Sequence, residues 1–219
     1  MAEGKMAEGK MAEGKMNSKE IDGQIVEAVF AALADRGFSD LDIAHIAERA
    51  GISANQLYLR AGDITQLVCF ALNWLDDKAL AESDADFADA ADASIYEKLL
   101  EGLIHRFEVF APYKNGFSVL LSACMRRPDL AIAMICQLHQ TVNRLLSLSG
   151  DDDIGWRRDM RVKGVAGVVM KTGSVWLKDD SADLSQTLNS VDKELRRAED
   201  WAISLRLLEQ SSPASTPDM

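Results

Sequence analysis

The chain has 219 residues, 47% of them apolar and 27% charged, with a net charge of -11. That is enough apolar material for a sizeable core in one compact unit or in two small ones, while the acidity works against a polyanionic partner, whose binding draws on counterion release by Lys and Arg. No apolar run approaches the roughly 20 residues of a membrane span, and nothing near the N-terminus resembles the apolar centre of a signal peptide, so a cytoplasmic protein with no membrane span is expected.

Taken from the N-terminus, residues 1–16 repeat Met-Ala-Glu-Gly-Lys three times without an apolar period, and they read as a leader or tag-like segment outside the fold. Proline stands only at Pro112, Pro128, Pro213 and Pro217, and long stretches carry apolar residues at intervals of three and four. The pattern therefore predicts an all-α chain. Ser18 to Arg36 forms a first helix with Ile21, Ile25, Val29, Ala32 and Leu33 on one face, and Gly37 supplies its left-handed stop. A short second helix covers Leu41–Ala50, with Ile43, Ile46 and Ala47 inward and Gly51 at the turn. Ser53 then caps a third helix from Ala54 to about Arg60, and Asp63 caps a longer fourth one carrying Leu67, Val68, Ala71, Leu72 and Leu75.

Residues 76–92 are rich in Ala and Asp, which suggests a solvated helix end and a loop near a subdomain boundary. Helices follow at Ser94–Ala111, Lys114–Arg126 and Asp129–Ser147, with the breaks marked by Pro112 and Pro128. Asp151, Asp152 and Asp153 lack the alternating spacing of a calcium loop and read as a solvated loop between Gly150 and Gly155. Cys69, Cys124 and Cys136 show no Cys-x-x-Cys pairing and read as buried thiols. Trp156 to Lys178 is apolar on more than one side, and Gly164, Gly167 and Gly173 would let another helix approach closely. In the last helix Leu184, Leu188, Val191, Leu195, Ala198, Ala202 and Leu205 alternate steps of four and three, the seam that a helix presents to a partner helix. The plain reading is packing within the chain. The sharper one is a homodimer interface made by that seam together with Val168 of the preceding helix.

Two short helices joined by Ala-Gly-Ile-Ser, the second opening on small polar residues, are the parts of a helix-turn-helix, whose second helix enters a major groove. The surrounding residues carry a resemblance. Gly37-Phe38 after the first helix, then Ile46-Ala47-Glu48-Arg49-Ala50-Gly51-Ile52-Ser53 and Leu57-Tyr58, are similar to the TetR family of one-component transcriptional repressors over about fifty residues. Where the family pattern continues with Phe and Lys, this chain has Ala61 and Ile64. The resemblance implies a TetR-like, all-α chain: a three-helix helix-turn-helix domain over 17–68, then a C-terminal helical ligand-binding and dimerisation domain over 69–210, with a disordered tail over 211–219. For duplex DNA, Asn55 and Gln56 have amides suited to an adenine edge, and Ser53, Tyr58 and Arg60 are placed for phosphates. Over residues 17–67, however, four basic side chains face eight acidic ones.

The C-terminal half carries a second likeness. Phe107 to Gly116 and Trp156 to Glu199, above all Trp176-Leu177-Lys178-Asp179-Asp180-Ser181 with Asp183, Leu184, Thr187 and Asp192, resemble the TetR-fold coenzyme Q biosynthesis accessory proteins, which bind lipids instead of DNA. The shared architecture implies an apolar cavity among the middle helices. Phe107, Phe110, Phe117, Met125, Met134 and Leu138, with His139 beside them, suit such a pocket and suit a plain core equally well.

Enzymatic chemistry finds no support, because the sequence shows no His-Glu-x-x-His, no phosphate-cradling glycine loop and no nucleophile elbow. His105 and His139 stand isolated on helices, and neither a metal nor a cofactor is expected. Two functions remain: a dimeric regulator whose small apolar ligand changes the separation of its reading heads, or a lipid-carrying or protein-interaction module on the same scaffold.

Overall fold

A computed structural model of the chain describes residues 2–90 and 92–204, with side chains from Ser18 onward. The tail expected over 211–219 and the seam residue Leu205 lie outside the described residues. Among the described residues there are nine α-helices, two short 3-10 turns and no strand. No helix among them is long and apolar enough to cross a membrane.

Helix α1 (Ala2–Arg36) takes in the five-residue repeats as well as the expected segment from Ser18. Ala, Glu, Lys and Met are good helix formers, so backbone propensity continues the helix where no apolar stripe does. Its apolar face buries Ile25, Val26, Val29, Phe30 and Leu33, each such side chain contributing about 1.5–3 kcal/mol when fully withdrawn from water. Helix α2 (Ile43–Arg49) starts on Asp42, whose carboxylate accepts from Ala44 N at 3.3 Å. It turns inward the three residues that the pattern selects, Ile43, Ile46 and Ala47. Helix α3 (Ala54–Tyr58) is five residues long, two fewer than expected.

Helix α4 (Ile64–Asp89) opens on a reciprocal cap: Gln66 N donates to Asp63 Oδ1 and Gly62 N to Gln66 Oε1, both at 2.9 Å. It then runs straight through the segment expected to end in a loop. The alanines there favour the helix, and Ala79, Leu80, Ser83 and Phe87 are buried along it, so one stripe stays apolar or small while the aspartates alternate around it. Helix α5 (Ile95–Phe110) has its own capping box at Ser94 and Glu97, and the Ser94 backbone and hydroxyl hold the Glu97 carboxyl below its ordinary value. A 3-10 turn containing Pro112 leads into α6 (Lys114–Cys124), followed by α7 (Pro128–Leu148), α8 (Trp156–Trp176) and α9 (Ser185–Ser204).

The described chain divides into two compact units: the stretch up to Ala79 with Val109–Gln137, and Leu80–Glu108 with the stretch from Leu138 on. Val109–Gln137 joins the first unit because α6 packs on α1. Gly116 makes that approach possible, since a Cβ there would lie 2.6 Å from the Phe30 carbonyl oxygen. Around the contact Phe30 lies 5.0 Å from Tyr113 and 6.2 Å from Phe117, which in turn meets Phe110 edge-on at 5.3 Å.

In the second unit α8 and α9 pack along one another. The turn between them is built on Asp179, fully buried, whose carboxylate accepts from Thr187 N and Thr187 Oγ1 at 2.7 Å and from Ser181 N at 3.1 Å. Leu184 takes a left-handed φ of 50° there and is buried nonetheless. The acidic loop before α8 is only in part the solvated segment its sequence suggests: Asp152 is exposed, whereas Asp151 is not. Asp151 is buried against Arg161 Nη1 at 2.7 Å and Arg158 Nη1 at 3.5 Å, and Asp153 pairs with Arg161 Nη2 at 2.5 Å. Two arginines one helical turn apart absorb charges that the sequence pattern assigns to water.

Candidate nucleic-acid interface

The helix-turn-helix is assembled by local chemistry. Gly51 adopts a φ of 68° between α2 and α3, a conformation that costs other residues about 1–2 kcal/mol. Ser53 then caps α3 through a complete capping box: Gln56 N donates to Ser53 Oγ at 3.3 Å, and Ser53 N and Oγ donate to Gln56 Oε1 at 2.9 and 3.1 Å. Ile46, Ala47 and Leu57 close the angle between the two helices from within. The arrangement presents Asn55, Tyr58 and Leu59 outward, with Tyr58 54% and Leu59 83% exposed.

Of the five residues selected for DNA, Asn55 and Tyr58 are thus free-standing on the surface. Ser53 and Gln56 are exposed but hold one another, so the Gln56 carbonyl is committed to the cap and cannot complete a two-point bridge to a base while the cap persists. Arg60 is drawn away from the surface: its Nε donates to Asp22 Oδ1 of α1 at 2.5 Å and its Nη1 to the Gln56 carbonyl at 3.1 Å. A second cation of the domain, Arg49, is paired with Asp35 at 2.7 Å. Half of the domain's four basic side chains are therefore neutralised within it. Asp22 was the partner sequence reading missed, because it lies thirty-eight residues away on another helix.

The departures from the family pattern are accommodated differently. Ala61 is buried, so the small side chain fills its place in the interior without an aromatic, whereas Ile64, half-buried at the first position of α4, leaves no charge where a lysine would reach a phosphate.

The residues suggested for a ligand pocket fall into both units. Phe110 and Phe117 belong to the aromatic cluster around Phe30, and Met134 is half-buried with its sulfur 3.2 Å from Cys124 Sγ. Met125 is 88% exposed, because it caps the C-terminus of α6 and points off the end of that helix. In the second unit Phe107 packs against Trp176 at 5.5 Å, and the Trp176 indole N–H donates to the Phe107 carbonyl at 3.1 Å. Leu138 is buried and His139 half-buried. Of the thiols, Cys69 and Cys124 are half-buried and Cys136 is exposed, since Cys136 lies on the outer face of α7.

The seam residues are mostly spent inside the chain. Val168, Leu184, Val191, Leu195 and Ala202 are buried and Ala198 half-buried, whereas Leu188 remains 41% exposed. The four-and-three pattern thus describes the packing of α9 on its own protomer. Outward apolar residues on these helices are others: Trp156, Met160 and Met170 on α8 and Trp201 on α9. A Cβ at Gly164 or Gly167 would meet nothing within 4 Å among the described residues, so neither glycine serves a contact with them.

No protein-family model and no curated protein matches the sequence. Solved structures do. A TetR transcriptional regulator from Nitrosomonas europaea ATCC 19718 superposes with a TM-score of 0.62 at 14% identity, covering 81% of this chain and 97% of that one. The fold is TetR-like. A TetR transcriptional regulator from Rhodococcus sp. RHA1 gives 0.54 at 14% identity over 90% of this chain and all of that one. A TetR-family transcriptional regulator from Streptomyces coelicolor gives 0.51 at 18% identity over 90% and 92%. Each of these likenesses runs over four-fifths or more of this chain and nine-tenths or more of the neighbour.

Proposed function

We propose that the chain is a TetR-like transcriptional regulator that binds duplex DNA weakly through α3 and acts as a homodimer controlled by a small apolar ligand in its C-terminal part. The observation that carries the reading is the reading head itself: a glycine corner, a fully capped recognition helix, and Asn55 and Tyr58 outward at its start and end. The weakness follows from charge. With Arg49 and Arg60 paired internally, few cations remain to displace counterions, so affinity falls only shallowly with salt.

Dimerisation is supported by the exposed face of α8 and α9. Gly164 and Gly167 stand in a helix interior at a cost of about 1 kcal/mol each relative to Ala, although no neighbour among the described residues needs the space. A second copy approaching along that face uses it.

The experiment is fluorescence anisotropy of a labelled random duplex against the purified protein at low and moderate salt, alongside the Asn55→Ala variant. Binding at low salt that the variant weakens supports a regulator. No binding even at low salt removes it and leaves the lipid-carrying or protein-interaction module, for which a lipid recovered by solvent extraction and mass spectrometry is the corresponding sign.

A further inference from the structure

We propose that Asp86, Glu101 and His105 form a binding site for a divalent transition-metal cation of the zinc class. Glu101 and His105 stand four residues apart on α5 and so project from one face, one turn above the other. Asp86 reaches them from the last turn of α4. One donor atom from each lies within 4.8 Å of the other two, and His105 Nε2 is 3.2 Å from Asp86 Oδ2. Two donors bound to one cation at bond lengths near 2.1 Å are separated by roughly 3–3.5 Å, so the ring nitrogen and that carboxylate already stand at the spacing of neighbouring ligands.

The imidazole is also held from behind. Its Nδ1 lies 3.1 Å from the hydroxyl of Ser83, which is fully buried one turn before Asp86 on α4. When Nε2 takes a metal, Nδ1 carries the hydrogen and donates it to Ser83, the outer partner that fixes tautomer and ring orientation in histidine-ligated sites. His105 is largely buried while Asp86 is half exposed, so water completes the coordination from the open side. A ring nitrogen beside two carboxylates favours zinc, nickel or cobalt over magnesium or calcium, which take oxygen donors. Bound there, the cation clamps the end of α4 to α5 and relieves the repulsion between the two carboxylates.

The test is isothermal titration of the full chain with Zn2+, paired with long-range proton–nitrogen NMR of the three histidine rings. The expected result is one Zn2+ per chain, a displaced Nε2 resonance for His105 alone, and a raised melting temperature. His105→Gln abolishes the uptake, Ser83→Ala weakens it about 10–100-fold, and His45→Gln and His139→Gln leave it unchanged. No uptake at saturating Zn2+, or uptake that survives His105→Gln, overturns the proposal. Because the readouts are metal binding and ring nitrogens, a chain that never binds DNA tests it equally well.

Discussion

The guanidinium of Arg60 is committed to the carboxylate of Asp22, with Nε and Oδ1 2.5 Å apart and both side chains about four-fifths withdrawn from solvent. The cation just past the C-terminal end of α3 is thereby anchored to α1. The contact orients α3 on the body of the domain and, in doing so, draws the cation away from its surface.

Releasing Arg60 should therefore strengthen DNA binding. Asp22→Ala leaves the guanidinium without its acidic partner and lowers the domain's negative charge. The expected outcome is tighter retention of random duplex at low salt, with the slope of log affinity on log salt steeper by about one. An unchanged slope places Arg60 away from the phosphates.

Leu188 and Leu195 are one heptad apart in the seam but differ in burial, and they should behave differently. Leu195→Ala removes a fully packed side chain and costs about 2–5 kcal/mol, read as a lowered denaturation midpoint. Leu188→Asp leaves the midpoint within about 0.5 kcal/mol and acts only on self-association, read by light scattering. Equal destabilisation by both would contradict the packing of α9 on its own protomer.

Gly116 is a sharper case. A methyl group at that position meets a backbone carbonyl at 2.6 Å, which cannot rotate aside as a side-chain tip can. Gly116→Ala should destabilise the first unit by about 1–3 kcal/mol despite the better helix propensity of alanine. By contrast, Gly164→Ala adds a Cβ in open space, and a lone chain gains up to about 1 kcal/mol from it. Loss of the dimer on the same change would locate the close approach of a second copy.

The α8–α9 turn should weaken in acid. Burial works to raise the Asp179 carboxyl, but donors from Ser181 and Thr187 outweigh it and hold the group well below its ordinary 3.8. A depressed folded value contributes stability that is complete above the unfolded value and is lost as the pH falls below it towards the folded one. Urea midpoints should therefore decline below about pH 4, and Asp179→Asn should lower the neutral midpoint and flatten that decline. An acid limb of the same slope in the variant would assign the loss to other carboxylates.

Much of the architecture is legible in the sequence because caps and corners are local: Ser53 and Asp63 each hold a backbone amide three residues on, and Gly51 makes the turn. What could not be read was set by partners remote in the chain. Nothing near Arg60 announces Asp22, and nothing near Asp151 announces that Arg158 and Arg161 will bury it. The seam of α9 was visible as a period, but a period does not say whether the covering helix belongs to the same chain. In the run that carries the second resemblance, Asp179, Ser181 and Thr187 close the α8–α9 turn, and Asp192 accepts from the distant Tyr96 hydroxyl at 2.7 Å. His105 reads as isolated in the sequence because Asp86, which stands beside it and Glu101, is brought up by a helix that does not stop where its composition suggests.

Arg158 spreads its fork over Asn143 Oδ1 at 2.8 Å, the Asn143 carbonyl at 2.5 Å, Ser147 Oγ at 2.7 Å and the Asp151 carbonyl at 2.6 Å. A planar cation with several fixed N–H vectors has become the mortar between the end of one helix and the beginning of the next, where solvent would otherwise stand. Lysine, with a single ammonium, reaches at most part of that set. Exchanging the two basic residues, harmless on most surfaces, would at this junction strand carbonyl and side-chain oxygens that only the guanidinium reaches together.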